Sequence, residues 1–215
     1  MKDETRHKRT AYRVETERLV LRCWSPADAP LCRQVLDECD AHLRPWIPFM
    51  KEEPRSLQQT AQWLRGHRAA FDLDQMYRFA VFDAAEENLL GENMLLARVG
   101  PGGLEIGYWT HKDSVGKGIA SEATCAIIRI AFEIEKVDRV EIMCAPENQA
   151  SAAIPAKLGF THEATLMKRA MDSEGGICDL MVWSLFAADY PLSVAAGTGI
   201  NAFDCMGMLI DRPPV

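Results

Sequence analysis

"LEIGYWTHKDSVGKGIASEA", residues 104–123, decides the fold. Its first seven residues alternate, with Leu104, Ile106 and Tyr108 on one side and Glu105, Gly107 and Trp109 on the other, which is the period of a strand. Its end opens a second pattern: Ala120, Ala123, Ile127, Ile130 and Ile134 recur at spacings of three and four, an amphipathic helix of about four turns. Gly116 and Gly118 flank Lys117 between the two. Glycines let main-chain N–H groups approach an anion, and the helix N-terminus adds its dipole, so a phosphate is the ligand that suits this unit. Ordinary turns share the Gly-x-Gly pattern, and the neighbours must decide. Ser121 stands where a dinucleotide fingerprint needs its third glycine, and Gly118 follows Lys117 where a P-loop requires Ser or Thr.

Working outward, "ERLVLRCW" (17–24) reads as a strand and is followed by a helix start, with Ser25 as cap and Pro26 at the first helical position. "HLRPWIPFM" (42–50) breaks the period and carries Trp46 and Phe49 on a loop that either lids a pocket or packs down. Ser56 and Gln59 form a capping box for a helix through Leu57, Ala61, Leu64, Arg68 and Phe71. "YRFAVFD" and "LLGENMLLAR" then read as a hairpin that leads through the turn at 100–103 into the opening stretch. Downstream come the strand "RVEIMCA", a helix in "ENQASAAIPAKLGF" ending at Gly159, and a hairpin of "THEATLMKRAM" and "ICDLMVWSL" around "DSEGG". Pro155 lacks the N–H that would bond the Ser151 carbonyl, which predicts a kink at Ser151. Periodicity ends at Pro191. The expected organisation is a polar tail over 1–14, one domain over 15–191 and a C-terminal tail over 192–215 that ends in "RPPV".

Composition narrows the function classes. The net charge of -7 opposes binding to nucleic acid or anionic membrane and favours a cationic substrate. Lys2, Arg6, Lys8, Arg9 and Arg13 make only the first residues basic. The apolar runs are too short to span a bilayer and the N-terminus has no apolar h-region, so a cytoplasmic protein is expected. Seven cysteines without C-x-x-C or finger spacing predict free, mostly buried thiols and no metal site.

The order is strand, two helices, three antiparallel strands, helix, strand, helix and two strands. Together with "ETERLVLR", "HLRPWIPF", "LEIGYW", "VGKGIASEA" and "PENQASAAIPAKLGF", it resembles the GNAT superfamily of acyl-CoA-dependent N-acetyltransferases, in particular its RimJ/RimL-like branch. The resemblance covers about Glu15 to Pro191. It implies an α+β fold with a mixed, mostly antiparallel sheet of about seven strands, helices on both faces and a V-shaped split between the fourth and fifth strands, here "LEIGYWT" and "RVEIMCA". It further implies an enzyme that transfers an acetyl group from acetyl-CoA to a primary amine by direct attack, with no metal. The acceptor would be a protein or peptide N-terminal α-amine; an acetyltransferase of a small amine and a non-catalytic acyl-CoA sensor are the alternatives. The resemblance allows a homodimer.

Residue by residue, the resemblance puts the pyrophosphate on the amides of Val115, Gly116, Lys117, Gly118, Ile119, Ala120 and Ser121. The pantetheine arm falls to main-chain groups near Trp109 and Thr110, and further cofactor contacts to Asn148, Ser151 and Lys157. The family loop more usually opens with Arg or Gln three residues before its first glycine; this chain has Asp113. Asn148 and Ser151 are equally readable as a helix cap and a first-turn residue. Trp46 and Phe49 would wall the acceptor site. Deprotonating the amine calls for a carboxylate or a water relay. Glu105 comes first because Gly107 leaves space beside it, and Glu92 second. Ser151 would serve the leaving thiolate. Ala170 stands where some relatives of this branch carry an acid.

Overall fold

The computed structural model describes residues 10–171 and 175–210. In chain order these form β1 (Arg13–Glu15), β2 (Leu19–Cys23), α1 (Ala29–Glu38), α2 (Asp40–Leu43), α3 (Leu57–Asp72), β3 (Met76–Asp83), β4 (Leu89–Leu96) and β5 (Gly103–Thr110). Then follow α4 (Ile119–Arg129), β6 (Arg139–Cys144), α5 (Gln149–Leu158), β7 (Thr161–Met171), β8 (Ile177–Phe186) and β9 (Asn201–Phe203). The strands make one nine-stranded sheet in the order β7-β8-β6-β5-β4-β3-β2-β1-β9. Every neighbouring pair is antiparallel except β5 and β6, which run parallel.

Side-chain parity builds the layers. Leu19, Leu21, Phe79, Val81, Leu95, Leu104 and Ile106 point to one face and pack with Ala123, Ala126 and Ile127 of α4. Val20, Trp24, Ala80, Phe82 and Trp109 point to the other and pack with Cys32, Val35 and Leu36 of α1 and Leu64 of α3. Both faces of the central strands are therefore buried, as a sheet with helices on either side requires.

Local signals act where the sequence places them. Ser25 and Asp28 close a reciprocal capping box on a single 3-10 turn, from which α1 continues. Ser56 and Gln59 do the same for α3. The helix after the glycine loop runs its expected length but passes from α into one π turn at Ile130–Ile134. The stretch 42–50 is partly helical, since α2 and a 3-10 turn at Pro48–Glu52 occupy its ends. All seven cysteines are free, and Cys23, Cys32, Cys39, Cys125 and Cys144 are buried.

Three expectations need correction. The two strands beyond the expected seven are β1 and β9, each three residues long and too short to show a period of two. The split itself lies where expected, between "LEIGYWT" and "RVEIMCA", and the added β1 only makes these the fifth and sixth strands. The stretch read as a C-terminal tail folds back: β9 pairs with β1, and Ala195, Ile200, Ala202 and Ile210 are buried. Thr10, Ala11 and Val14 are buried as well, so the structured chain starts before residue 15. Lys2, Arg6, Lys8 and Arg9, the Asp172–Glu174 part of the "DSEGG" turn and the terminal "RPPV" lie outside the described residues.

Candidate active site

β5 and β6 pair only over Gly103–Glu105 and Arg139–Glu141. Beyond that point β5 continues to Thr110 on β4, and β6 to Cys144 on β8, so the two strands part. The His111 N–H donates to the Leu90 carbonyl at 2.7 Å, which sets the alternation along β5. Trp109 and Gly107 turn their main-chain groups to β4, whereas Ile106, Tyr108 and Thr110 turn theirs into the gap. Of the two residues expected to contact a cofactor arm through the main chain, Thr110 turns its main-chain groups to the gap, as Tyr108 does, and Trp109 turns its own to β4.

The strand leads directly into the glycine loop. Gly116 and Gly118 have φ of 76° and 78°, where a side chain is strained, and nothing lies within 4 Å of the position a Cβ on Gly116 would occupy. Gly118 is the N-cap of α4 and no side chain caps the helix. Its first-turn N–H groups have no intrahelical acceptor, and Val115, Gly116, Lys117 and Gly118 are exposed. An open cradle of main-chain donors at a helix N-terminus fits a diphosphate.

The opposite wall comes from the end of β6 and from α5. Asn148 caps α5, its Oδ1 accepting the Ser151 N–H at 3.1 Å. α5 runs from Gln149 to Leu158 with Pro155 inside it. The Ser151 carbonyl that Pro155 leaves without a helical donor accepts the Tyr108 hydroxyl across the gap at 3.0 Å, with Ser151 Oγ 3.2 Å from the same phenol. Burial pushes the Tyr108 pKa up, so the phenol stays protonated. Cys144 lies on this wall too; burial raises its thiol, and the Ser151 hydroxyl opposes that shift. Tyr108 and Cys144 are not among the expected site residues, although the side-chain parity of β5 and the missing N–H of Pro155 together point to the former. Lys157 is exposed in the last turn of α5.

Both candidate carboxylates are engaged. Glu105 sits at the closed end of the gap opposite Glu141 and receives two bonds from Arg98, at 2.6 and 2.5 Å. Glu92 is fully buried on the face of α1 and α3. It accepts from Trp24 Nε1 at 2.6 Å, from Arg78 at 2.7 and 2.6 Å, and from Trp109 Nε1 at 2.9 Å. Burial would raise its pKa, but the Arg78 charge and these donors outweigh burial and hold it below the usual range. Arg78 also donates to His67 Nε2 at 2.9 Å. Phe49 packs on Trp63, with ring centroids 5.1 Å apart, and lies against the Arg78 guanidinium, whereas Trp46 is 44% exposed. The two aromatics expected to wall an acceptor site thus stand in different surroundings.

An acetyltransferase (GNAT) domain model matches residues 18–161. The chain belongs to the GNAT acetyltransferase family. YdaF of Bacillus subtilis (strain 168) is 28% identical to this GNAT enzyme over 181 residues, covering 81% of the chain and 94% of its own length. The [ribosomal protein uS5]-alanine N-acetyltransferase of Escherichia coli (strain K12) is 27% identical over 154 residues, covering 70% of this chain and 79% of its own. Among solved structures, RimL, a ribosomal L7/L12 alpha-N-protein acetyltransferase in complex with coenzyme A, superposes with a TM-score of 0.72 at 21% identity, covering 80% of this chain and 95% of that one. This GNAT N-acetyltransferase is therefore related to ribosomal-protein acetyltransferases. Among the described residues no helix is long and apolar enough to cross a membrane, and no group of His, Cys, Asp or Glu is placed to hold a metal ion.

Proposed function

We propose that this GNAT enzyme transfers an acetyl group from acetyl-CoA to the α-amine of a protein or peptide N-terminus. The observation that carries the cofactor reading is the continuity of an unpaired main-chain gap, Ile106 to Thr110, with an uncapped glycine loop and helix N-terminus at Val115–Ser121. Bound acetyl-CoA supplies the acetyl group as a thioester. Amides of Gly116 to Ser121 hold the diphosphate. Main-chain groups of Tyr108 and Thr110 pair with the pantetheine arm, and Asn148 keeps the turn into α5 closed behind it. Ser151, oriented through Tyr108, offers its hydroxyl to the leaving thiolate. Exposed Lys117 and Lys157 add positive charge on the cofactor side.

An α-amine, with a reference pKa of about 7.7 to 8.0, gives up its proton far more readily than a lysine at about 10.4. Glu105 keeps lone pairs beyond the two used by Arg98 and polarises the water that takes the proton. Glu92 instead anchors Trp109. The acceptor class is supported by the names of the related enzymes, two of which specify ribosomal-protein substrates. The deciding experiment incubates the protein with acetyl-CoA and a mixture of N-terminal peptides, polyamines and amino sugars, with products read by mass. Acetylated peptide α-amines support the proposal; acetylated small amines alone, or coenzyme A binding with no product from any acceptor, overturn it.

A further inference from the structure

The turn at Thr16–Arg18, leading into β2, wraps the only acidic residue in the first turn of α4. Glu122 accepts the Thr16 hydroxyl at 2.5 Å, the Arg18 N–H at 3.2 Å and Arg18 Nε at 2.6 Å. The same guanidinium donates through Nη1 to the Lys117 carbonyl at 3.1 Å, and its Nη2 lies 3.5 Å from where a Cβ on Gly118 would stand. Arg18 is half exposed and touches the glycine loop and the α4 carboxylate together.

An acid in the first turn normally stabilises a helix by meeting the positive end of its dipole. Here that end is needed by an external anion, and a free Glu122 carboxylate would compete with it and repel it. Asp113 adds a second negative charge to the loop, and Lys112 and Lys117 are the loop's own cations. We infer that Arg18 is a positioning residue for coenzyme A binding, one that masks the Glu122 charge and turns the Lys117 carbonyl outward so that the loop amides face the diphosphate. The inference rests on the cofactor reading above. Arg18 need not touch the cofactor; it acts through Glu122 and the loop.

Charge masking and plain scaffolding make opposite forecasts. Coenzyme A affinity is measured by calorimetry at low and high salt for the wild type, Arg18→Gln, Glu122→Gln and the double variant, with melting curves to confirm folding. Masking requires Arg18→Gln to weaken binding about fivefold at low salt, the size of one helix-terminus charge. That defect shrinks at high salt, where the repulsion is screened. Glu122→Gln, which leaves Arg18 unopposed, binds at least as tightly as the wild type, and the double variant recovers most of the loss. Scaffolding alone requires both single variants to weaken binding alike, the double variant to be no better, and salt to leave the defect unchanged; any of these overturns the inference. If Arg18→Gln does not fold, Glu122→Gln decides by itself, since weaker binding there contradicts masking. A wild-type chain that binds no coenzyme A overturns the cofactor reading and this inference together, whereas a wild type that binds as tightly as folded Arg18→Gln overturns this inference alone.

Discussion

Pro155 removes one N–H from α5, and the consequence is felt on β5, where Tyr108 supplies the missing donor to Ser151. A buried carbonyl left without a donor costs about 1 to 3 kcal/mol, and the Ser151 carbonyl is only partly buried, so Tyr108→Phe should destabilise the protein by about 1 kcal/mol in urea unfolding. Pro155→Ala returns an N–H to the helix. In that background Tyr108→Phe should cost less, and the difference between the two losses is the coupling that a double-mutant cycle reads. Equal losses in both backgrounds would show that the phenol does not serve the carbonyl. At Glu105 the test is kinetic. Glu105→Gln should lower kcat about tenfold or more below pH 8, where the amine is mostly protonated, and less above it. An unchanged pH–rate profile removes Glu105 from the proton path and leaves Arg98–Glu105 as an ion pair that closes the base of the split.

Elements were legible in the sequence in proportion to their length and to the strength of their caps. The β5–loop–α4 unit, the Ser25 cap, the Ser56–Gln59 capping box and the Gly159 helix end could be read directly, because each is local and has a residue type that few other conformations want. β1 and β9 could not, since three residues carry no period and pair only once distant parts of the chain meet. The partners of Glu105 and Glu92 were hidden for the same reason: Arg98 lies across a turn, and Trp24, Arg78 and Trp109 come from three different strands or strand ends. A strand carboxylate beside a glycine reads as available until those donors are placed. The glycine loop carries its own test. Gly116→Ala leaves room for the methyl group but not for the positive φ, at about 1 kcal/mol. Coenzyme A affinity should fall about fivefold in calorimetry while the melting temperature moves by only a few degrees; unchanged affinity would place the diphosphate elsewhere.

At the scale of the molecule, acid should act on the buried polar network before it acts on the rest. Burial, with the neighbouring Arg78 charge, pushes His67 down to about 4, so the folded state binds no proton there while the unfolded chain does. That contribution to stability is complete above about pH 6.5 and is lost as pH falls toward 4, by about 2 kcal/mol after allowing for partial exposure. His67→Gln should flatten the difference between unfolding free energies measured at pH 7 and 4.5. The C-terminal segment makes a larger claim. Deleting residues 193–215 exposes what Ala195, Ile200, Ala202 and Ile210 bury and strips β9 from β1, a loss of about 5 kcal/mol against a typical total of about 5 to 15. The segment also grips the far end of the helix that begins at the glycine loop, where Arg129, paired with Glu133, donates to the Thr198 carbonyl. The truncated chain should therefore melt more than 10 °C lower, or fail to stay soluble, and Ile200→Ala in the full chain should reproduce part of the shift at about 2 to 4 kcal/mol. A truncated protein that melts within a few degrees of the full chain and binds coenzyme A as tightly would return residues 193–215 to the peripheral tail that their sequence suggests, and would leave α4 held by the sheet alone.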